Sequence, residues 1–284
     1  MPELRSIDKA LIFDAFMEAF ADYQMDASGT TEEGLLLRAA KNAVDFEASV
    51  GAYDGGKLVG FTMIGIDTVD GTPTAFDAGT GIVPSFRKQG LAKAMFDHAL
   101  PGLRDRGVAR FLLEVLQGNE PAIKAYTKSG FDIVRELRCR IADVAELRSL
   151  PETPHVRVEA IGVAAYREMA SDADWTPSFE NRFATVDAIP ECVSMFGAFD
   201  GDACVGAIAY VESLHWMLPL VVRANARRRG VGRALVRHLA HRIPEGRERL
   251  AALNIDGADA GMQAFFDALG FAPLVDQYEM AREL

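Results

Sequence analysis

RRRGVGRAL, Arg227 to Leu235, sets four arginines around two glycines in a chain whose formal net charge is −11. RKQGLAKAM, Arg87 to Met95, repeats the pattern upstream. A helix that starts after a glycine-rich loop presents unpaired backbone N–H groups and the positive end of its dipole. Together these make a ready site for phosphate. Gly90 and Gly230 let the backbone approach an anion with no Cβ in the way. Arg87, Lys88, Arg227 and Arg229 add charge beside it. One copy alone reads equally well as a solvated basic start to a helix. Two copies at one place in a repeated unit favour the anion site.

Working outward, the copies belong to a long internal repeat. GAYDGGKLVGF (Gly51–Phe61) matches GAFDGDACVGA (Gly197–Ala207) at an offset of 146 residues. Each is an apolar run, an Asp-Gly turn and a second apolar run. That reads as a β-hairpin, because Asp-Gly accepts the positive φ of a tight turn. From the basic loop onward the offset is 140, pairing Arg87 with Arg227, Gly90 with Gly230, His98 with His238 and Leu113 with Leu253. Gly130-Phe131 and Gly270-Phe271 keep the same offset. The six extra residues of the first copy are expected at TVDGTP, Thr68–Pro73. LPETPH, Leu150–His155, has two prolines and little apolar pattern, so it reads as a linker. The expected division is therefore residues 1–150 and 151–284.

In the first lobe Leu11, Ile12, Ala15, Phe16, Ala19, Phe20 and Tyr23 recur at helical spacing. A second helix is expected over 31–44. Strands over 48–53, 58–66 and 75–83 precede a helix over 91–106, a strand over 110–116, a helix over 120–129 and a strand over 133–139. The second lobe repeats this order from Val156, with a first helix around 163–171. Mixed elements in this order predict α/β lobes, each with a central mixed sheet.

Apolar residues make up 49% of the 284 and charged residues 25%, a soluble globular balance with room for two domains. The acidic excess argues against nucleic-acid binding and leans toward cationic substrates. Cys139, Cys192 and Cys204 lack metal-ligand spacing, and their odd number suggests free thiols in a reducing compartment. No metal site is expected. Asp8 and Asp14 interrupt the first apolar stretch, so no signal peptide is read. Apolar runs fall short of the roughly 20 residues of a membrane span. A cytoplasmic protein with neither membrane nor nucleic-acid partner is the expectation.

The loop is neither the P-loop nor the dinucleotide G-x-G-x-x-G. It resembles instead the signature of the Gcn5-related N-acetyltransferase (GNAT) family, Arg/Gln-x-x-Gly-x-Gly/Ala at a strand–helix junction. The matches are Arg87-Lys88-Gln89-Gly90-Leu91-Ala92 and Arg227-Arg228-Arg229-Gly230-Val231-Gly232. Val83-Pro84 precedes the first as the family pattern has it; the second departs with Arg223-Ala224. Asn119, Ala122, Tyr126 and Gly130-Phe131 fit the family's downstream pattern. The resemblance covers nearly all of both lobes and implies a tandem acetyltransferase, each lobe a mostly antiparallel mixed sheet flanked by helices. It implies acetyl-CoA as cofactor, with its pyrophosphate on the loop amides. The pantetheine arm would lie along the strand ending at Ile82-Val83 or at Val221-Val222. Asn119 would touch the cofactor, and Tyr126 would protonate the departing thiolate. The acceptor implied is a primary amine, small molecule or peptide, attacking directly. The helix that carries Phe20 and Tyr23 would line its site. Monomer and homodimer are both open.

The offset of 140 pairs Tyr126 with Phe266, Asn119 with Asp259 and Glu114 with Asn254. Phe266 has no proton to give, Asp259 brings charge toward an anionic cofactor, and Asn254 cannot act as a base. Lobe one is thus expected to be catalytic, and lobe two a scaffold or a second CoA site. Glu114 and Asp77 are strand carboxylates, each either solvated or set in a cleft with a raised pKa as a candidate base; Glu114 is placed in the catalytic set and Asp77 on the acceptor side. Tyr126 also has a reading as a core tyrosine, and Phe20 as a packing residue. Trp175 either faces a pocket or seals the lobe interface. The rival is a non-catalytic acyl-CoA-binding protein, against which Tyr126 argues.

Overall fold

The computed structural model describes residues 2–22 and 29–284. Tyr23 lies outside the described residues. The first repeat runs β1 (Glu3–Ser6), α1 (Ile12–Phe20), α2 (Glu32–Lys41), β2 (Val50–Asp54), β3 (Lys57–Val69) and β4 (Thr72–Ile82). It continues through α3 (Leu91–Asp105), β5 (Arg110–Leu116), α4 (Glu120–Lys128), β6 (Asp132–Asp143) and α5 (Val144–Arg148). The second runs β7 (Arg157–Ala160), α6 (Val163–Ala170), α7 (Thr185–Ala188), β8 (Val193–Asp200), β9 (Ala203–Val211) and β10 (Trp216–Val222). It ends with α8 (Val231–Arg242), β11 (Arg249–Asp256), α9 (Ala260–Ala268) and β12 (Ala272–Glu283). No helix among the described residues is long and apolar enough to cross a membrane.

Compact units and repeats do not coincide. Unit 1 is Met1–Arg135 with Tyr278–Leu284, and unit 2 is Glu136–Gln277. The sequence places the seam at the linker, whereas the compact division falls within β6 and within β12. Unit 1 has strand order β1-β2-β3-β4-β5 and then the end of β12; unit 2 has β6-β11-β10-β9-β8-β7. Met280 of β12 is fully buried in the unit 1 core with Phe96, Phe111 and Phe131, and Arg135 clasps Glu279 at 2.8 Å. The exchange is invisible to periodicity, because a strand's pattern does not name its partner.

Both sheets are antiparallel in their registered pairs except β4–β5 and β10–β11, which are parallel. Apolar faces of α3 and α8 pack on them through Leu91, Met95 and Phe96, and through Val231, Leu235 and Leu239. The expected hairpins form. Asp54 still belongs to its strand, paired with Lys57, so the positive φ falls on Gly55 and Gly56. The extra residues of the first repeat lengthen β3 and β4 around an Asp70-Gly71 turn with φ of 50° and 74°.

Candidate active site

In each unit the parallel ladder stops early. β4 and β5 are registered from Thr74–Arg110 to Asp77–Leu113, yet β4 runs on to Ile82 and β5 to Leu116. A bulge in β4 at Ala78, between the pairs Ile64–Asp77 and Met63–Gly79, coincides with the break. Bulges of this kind re-aim side chains and end pairing next to active sites. The consequence is a length of β4 backbone, 78–82, with no registered partner on the β5 side. β10 repeats the device: its bulge lies between Met217 and Leu220, and its ladder to β11 ends at Met217–Ala252.

The basic loops follow. Lys88 has φ of 63° and Gly90 of 77°; Arg228 has 62° and Gly230 has 83°. Left-handed residues of this kind, interleaved in a loop, turn successive N–H groups into one concavity that suits an anion. Gly90 and Gly230 are the N-caps of α3 and α8, and neither can bond the first-turn N–H groups with a side chain. A left-handed lysine or arginine is strained, and its recurrence at the same place in both units marks a shape the loop keeps. At Gly232 an added Cβ would stand 2.9 Å from the ring of Phe265, which accounts for a small residue there.

Arg87 and Arg227 make contacts within the chain that the sequence does not announce. Arg87 donates from Nε to Ile82 O at 3.1 Å, from Nη2 to Ala19 O at 2.8 Å, and to both Asp22 oxygens at 2.6 and 2.7 Å. Arg227 donates to Val222 O at 3.0 Å and to both Asp174 oxygens at 2.8 Å. Each guanidinium latches its loop to the strand end and to the segment after the first helix. Each also holds its aspartate below the usual carboxylate range. Arg229 pairs with Asp200 at 2.7 Å. Exposed Lys88, Gln89 and Arg228 remain at the loop face. Ile82 is half-buried and Val83 buried, with Val83 N donating to Val59 O.

The decisive cluster lies beside the break in unit 1. Asp77 is 7% exposed. Its Oδ2 accepts from Thr80 Oγ1 at 2.8 Å and from Tyr126 Oη at 3.4 Å, and its Oδ1 from Gly79 N at 3.0 Å. Burial pushes the carboxyl up to about 6, against the opposing pull of the three hydrogen bonds. Tyr126 is half-buried and edge-on to Phe96 and Phe131. Leu113 and Val115 belong to the core cluster against which Tyr126 packs. Strand alternation places Glu114 on the other face. The structure thus brings Asp77, not Glu114, to Tyr126. Asp77, expected on the acceptor side or as a second candidate base, shares the face of its partner Leu113, and the bulge after it turns Thr80 to the same face; neither placement can be read from spacing.

Asn119 caps α4, accepting from Ala122 N at 3.3 Å, and Asp259 caps α9 from Met262 N at 2.9 Å. Both are good caps, so the exchange of Asn for Asp preserves the helix start. Phe20 is ring-to-ring with Phe16 and Phe61, at 4.6 and 6.3 Å between centroids, and belongs to the packing. Trp175 lines a pocket of unit 2.

The acetyltransferase (GNAT) family pattern matches residues 11–131 and 154–271, and the chain belongs to that family through both of its repeats. A tandem GNAT protein from the clavulanic acid biosynthesis pathway shares the fold, with a TM-score of 0.74 at 18% identity over 100% of this chain and 98% of that one. A mycothiol acetyltransferase of Thermobifida fusca (strain YX) is 32% identical over 122 residues, 40% of this chain and 38% of that protein. A streptothricin acetyltransferase of Streptomyces lavendulae is 34% identical over 76 residues, 27% of this chain and 39% of that protein. The matched stretches span less than half the length of the mycothiol and streptothricin acetyltransferases.

Proposed function

We propose that the chain transfers an acetyl group from acetyl-CoA to a primary amine, and that unit 1 performs the chemistry. The observation that carries this reading is the buried Asp77 in contact with Tyr126 where the β4–β5 ladder breaks. The residues present fit the coenzyme. Left-handed loops at uncapped helix starts suit a diphosphate, and the partnerless length of β4 suits an amide-bearing arm. Backbone N–H groups from Lys88 to Ala92 would hold the diphosphate in unit 1, and those from Arg228 to Gly232 in unit 2. Asn119 would set the start of α4 beside the arm. Bound there, acetyl-CoA supplies an activated acyl carbonyl and a thiolate leaving group.

The chain's own groups manage the protons. As the nitrogen–carbon bond forms and the carbon–sulfur bond breaks, the Asp77 carboxylate takes the amine proton. Tyr126 gives its hydroxyl proton to the departing sulfur. Return of the proton from Asp77 to Tyr126 across their contact restores both groups. A neutral amine and a thioester thus become an amide and a thiol with no proton gained or lost. Glu114, half-buried on the opposite face of β5, has no part in this path. The chain's net charge of −11 supports a cationic amine as acceptor, and the relatives named for mycothiol and streptothricin support a small molecule.

The test is thiol release from acetyl-CoA with pools of polyamines, aminoglycosides, amino acids and peptides. Release with one pool and an acetylated product is the expected result. Absence of release with every pool would leave the chain a coenzyme binder.

A further inference from the structure

We propose that the slot of unit 2 holds, without turning over, a coenzyme A thioester whose acyl group is larger and more apolar than acetyl. This rests on the reading that the Arg227–Gly232 loop takes the coenzyme. The repeat makes the comparison residue by residue. Pairing of β9 with β10 reproduces that of β3 with β4: Leu220 faces Ile208 as Thr80 faces Thr62, and Met217 faces Tyr210 as Asp77 faces Ile64. The polar cluster Thr62, Asp77, Thr80 and Tyr126 therefore has Ile208, Met217, Leu220 and Phe266 as its counterparts. Every group that could move a proton has become a hydrocarbon or thioether. Scaffold decay alone would not turn three of the four, Met217, Leu220 and Phe266, into side chains that still line a cavity.

A cavity is what they enclose. Met217, Leu220, Met262, Phe266 and Trp175 line a pocket of about 280 Å³ between the diverging ends of β10 and β11. Most of its lining surface is apolar, so it rewards burial of further methylenes rather than a charged or hydroxylated group. Thr176, Asn181, Asn254, Asp256 and Asp259 are its polar lining residues. Asn181, 6% exposed, lines the pocket and donates to Leu253 O at 2.6 Å, while its Oδ1 is buried with no donor. A buried acceptor of this kind calls for an N–H. A thioester on an amide-bearing arm offers both the N–H and the hydrocarbon; a free fatty acid offers only the second, with a carboxylate the apolar wall disfavours.

The experiment uses the full chain carrying Gly90→Glu, which places a carboxylate in the unit 1 loop and leaves the unit 2 slot intact. Free CoA, acetyl-CoA and hexanoyl-CoA are titrated by calorimetry, with the fluorescence of Trp175 as a second readout. The proposal expects hexanoyl-CoA to bind about tenfold or more tightly than acetyl-CoA, with no thiol released when amines are added. Leu220→Thr, which restores the unit 1 residue, should erase that preference and keep acetyl-CoA binding; should it misfold, the ligand series stands alone. Equal affinity for all three ligands overturns the acyl preference while the loop reading survives. Failure of all three to bind, with one equivalent bound by the unsubstituted chain, overturns the loop reading and the proposal with it. Thiol release from hexanoyl-CoA overturns the non-catalytic assignment.

Discussion

Tyr126 Oη donates to Asp77 Oδ2 at 3.4 Å, and the residues that stand at the same places in the second repeat are Phe266 and Met217. The contact is long for a hydroxyl–carboxylate bond, as catalytic contacts often are before substrate is present. Removing the hydroxyl keeps the ring packing with Phe96 and Phe131. Tyr126→Phe should therefore fold normally and lower kcat by about a hundredfold or more, with little change in KM for acetyl-CoA. An unchanged kcat in a thiol-release assay would refute the acid role.

Asp77 gives the activity and the stability opposite responses to pH. Its carboxyl rises from 3.8 to about 6 in the folded chain, mainly through burial. The folded chain thus holds the proton more tightly than the unfolded chain. Stability from this group is present below pH 3.8 and is lost as pH rises toward and through about 6. As a base, Asp77 works only when ionised, so kcat/KM should climb through the same window. Asp77→Asn should flatten the pH–rate profile at a low rate. It should also be more stable than the unsubstituted chain at pH 7.5 by up to roughly 3 kcal/mol, a gain absent at pH 3.5. Urea titrations at the two pH values measure the difference.

The latch of Arg87 on Asp22 is exposed to solvent, so its loss should cost little stability. What it holds is the shape of the loop. Arg87→Ala and Asp22→Asn should each weaken acetyl-CoA binding to unit 1 by about three- to tenfold and leave the pH–rate profile in place. Calorimetry on the two variants checks this; a role as a direct phosphate ligand would make Arg87→Ala far worse than Asp22→Asn.

Unit 1 needs the end of the second repeat. Met280→Ala removes a fully buried side chain from the cluster around Phe96 and Phe111, and should cost about 2 to 5 kcal/mol. Deleting Tyr278–Leu284 should unfold unit 1. A fragment ending at residue 150, which the repeat boundary recommends, should be poorly folded on its own by circular dichroism and urea titration.

The repeat, the strand-to-helix order and both loops were legible because glycines, arginines and apolar periods recur at fixed offsets. The Asn119 and Asp259 caps could have been read as well, since each precedes a helical run. The strand exchange could not, because residues 278–284 look the same whichever unit they join. Glu114 attracted the base role by lying in an apolar strand, but the side on which a strand residue emerges depends on a register fixed by its neighbours. The contact of Asp77 with Tyr126 depends on the register of β4 on β5, and that of Asp77 with Thr80 on one extra residue at Ala78. Arg87 reads as a phosphate ligand by charge alone; its partner Asp22 lies 65 residues away.

The division of labour between the units is tested most directly by two single substitutions. Thiol release from acetyl-CoA with the active amine pool is measured for Gly90→Glu and Gly230→Glu. The account predicts that Gly90→Glu abolishes turnover and that Gly230→Glu keeps most of it. Full activity in Gly90→Glu with loss in Gly230→Glu would place the chemistry in the unit that lacks Asp77 and Tyr126, and would contradict it.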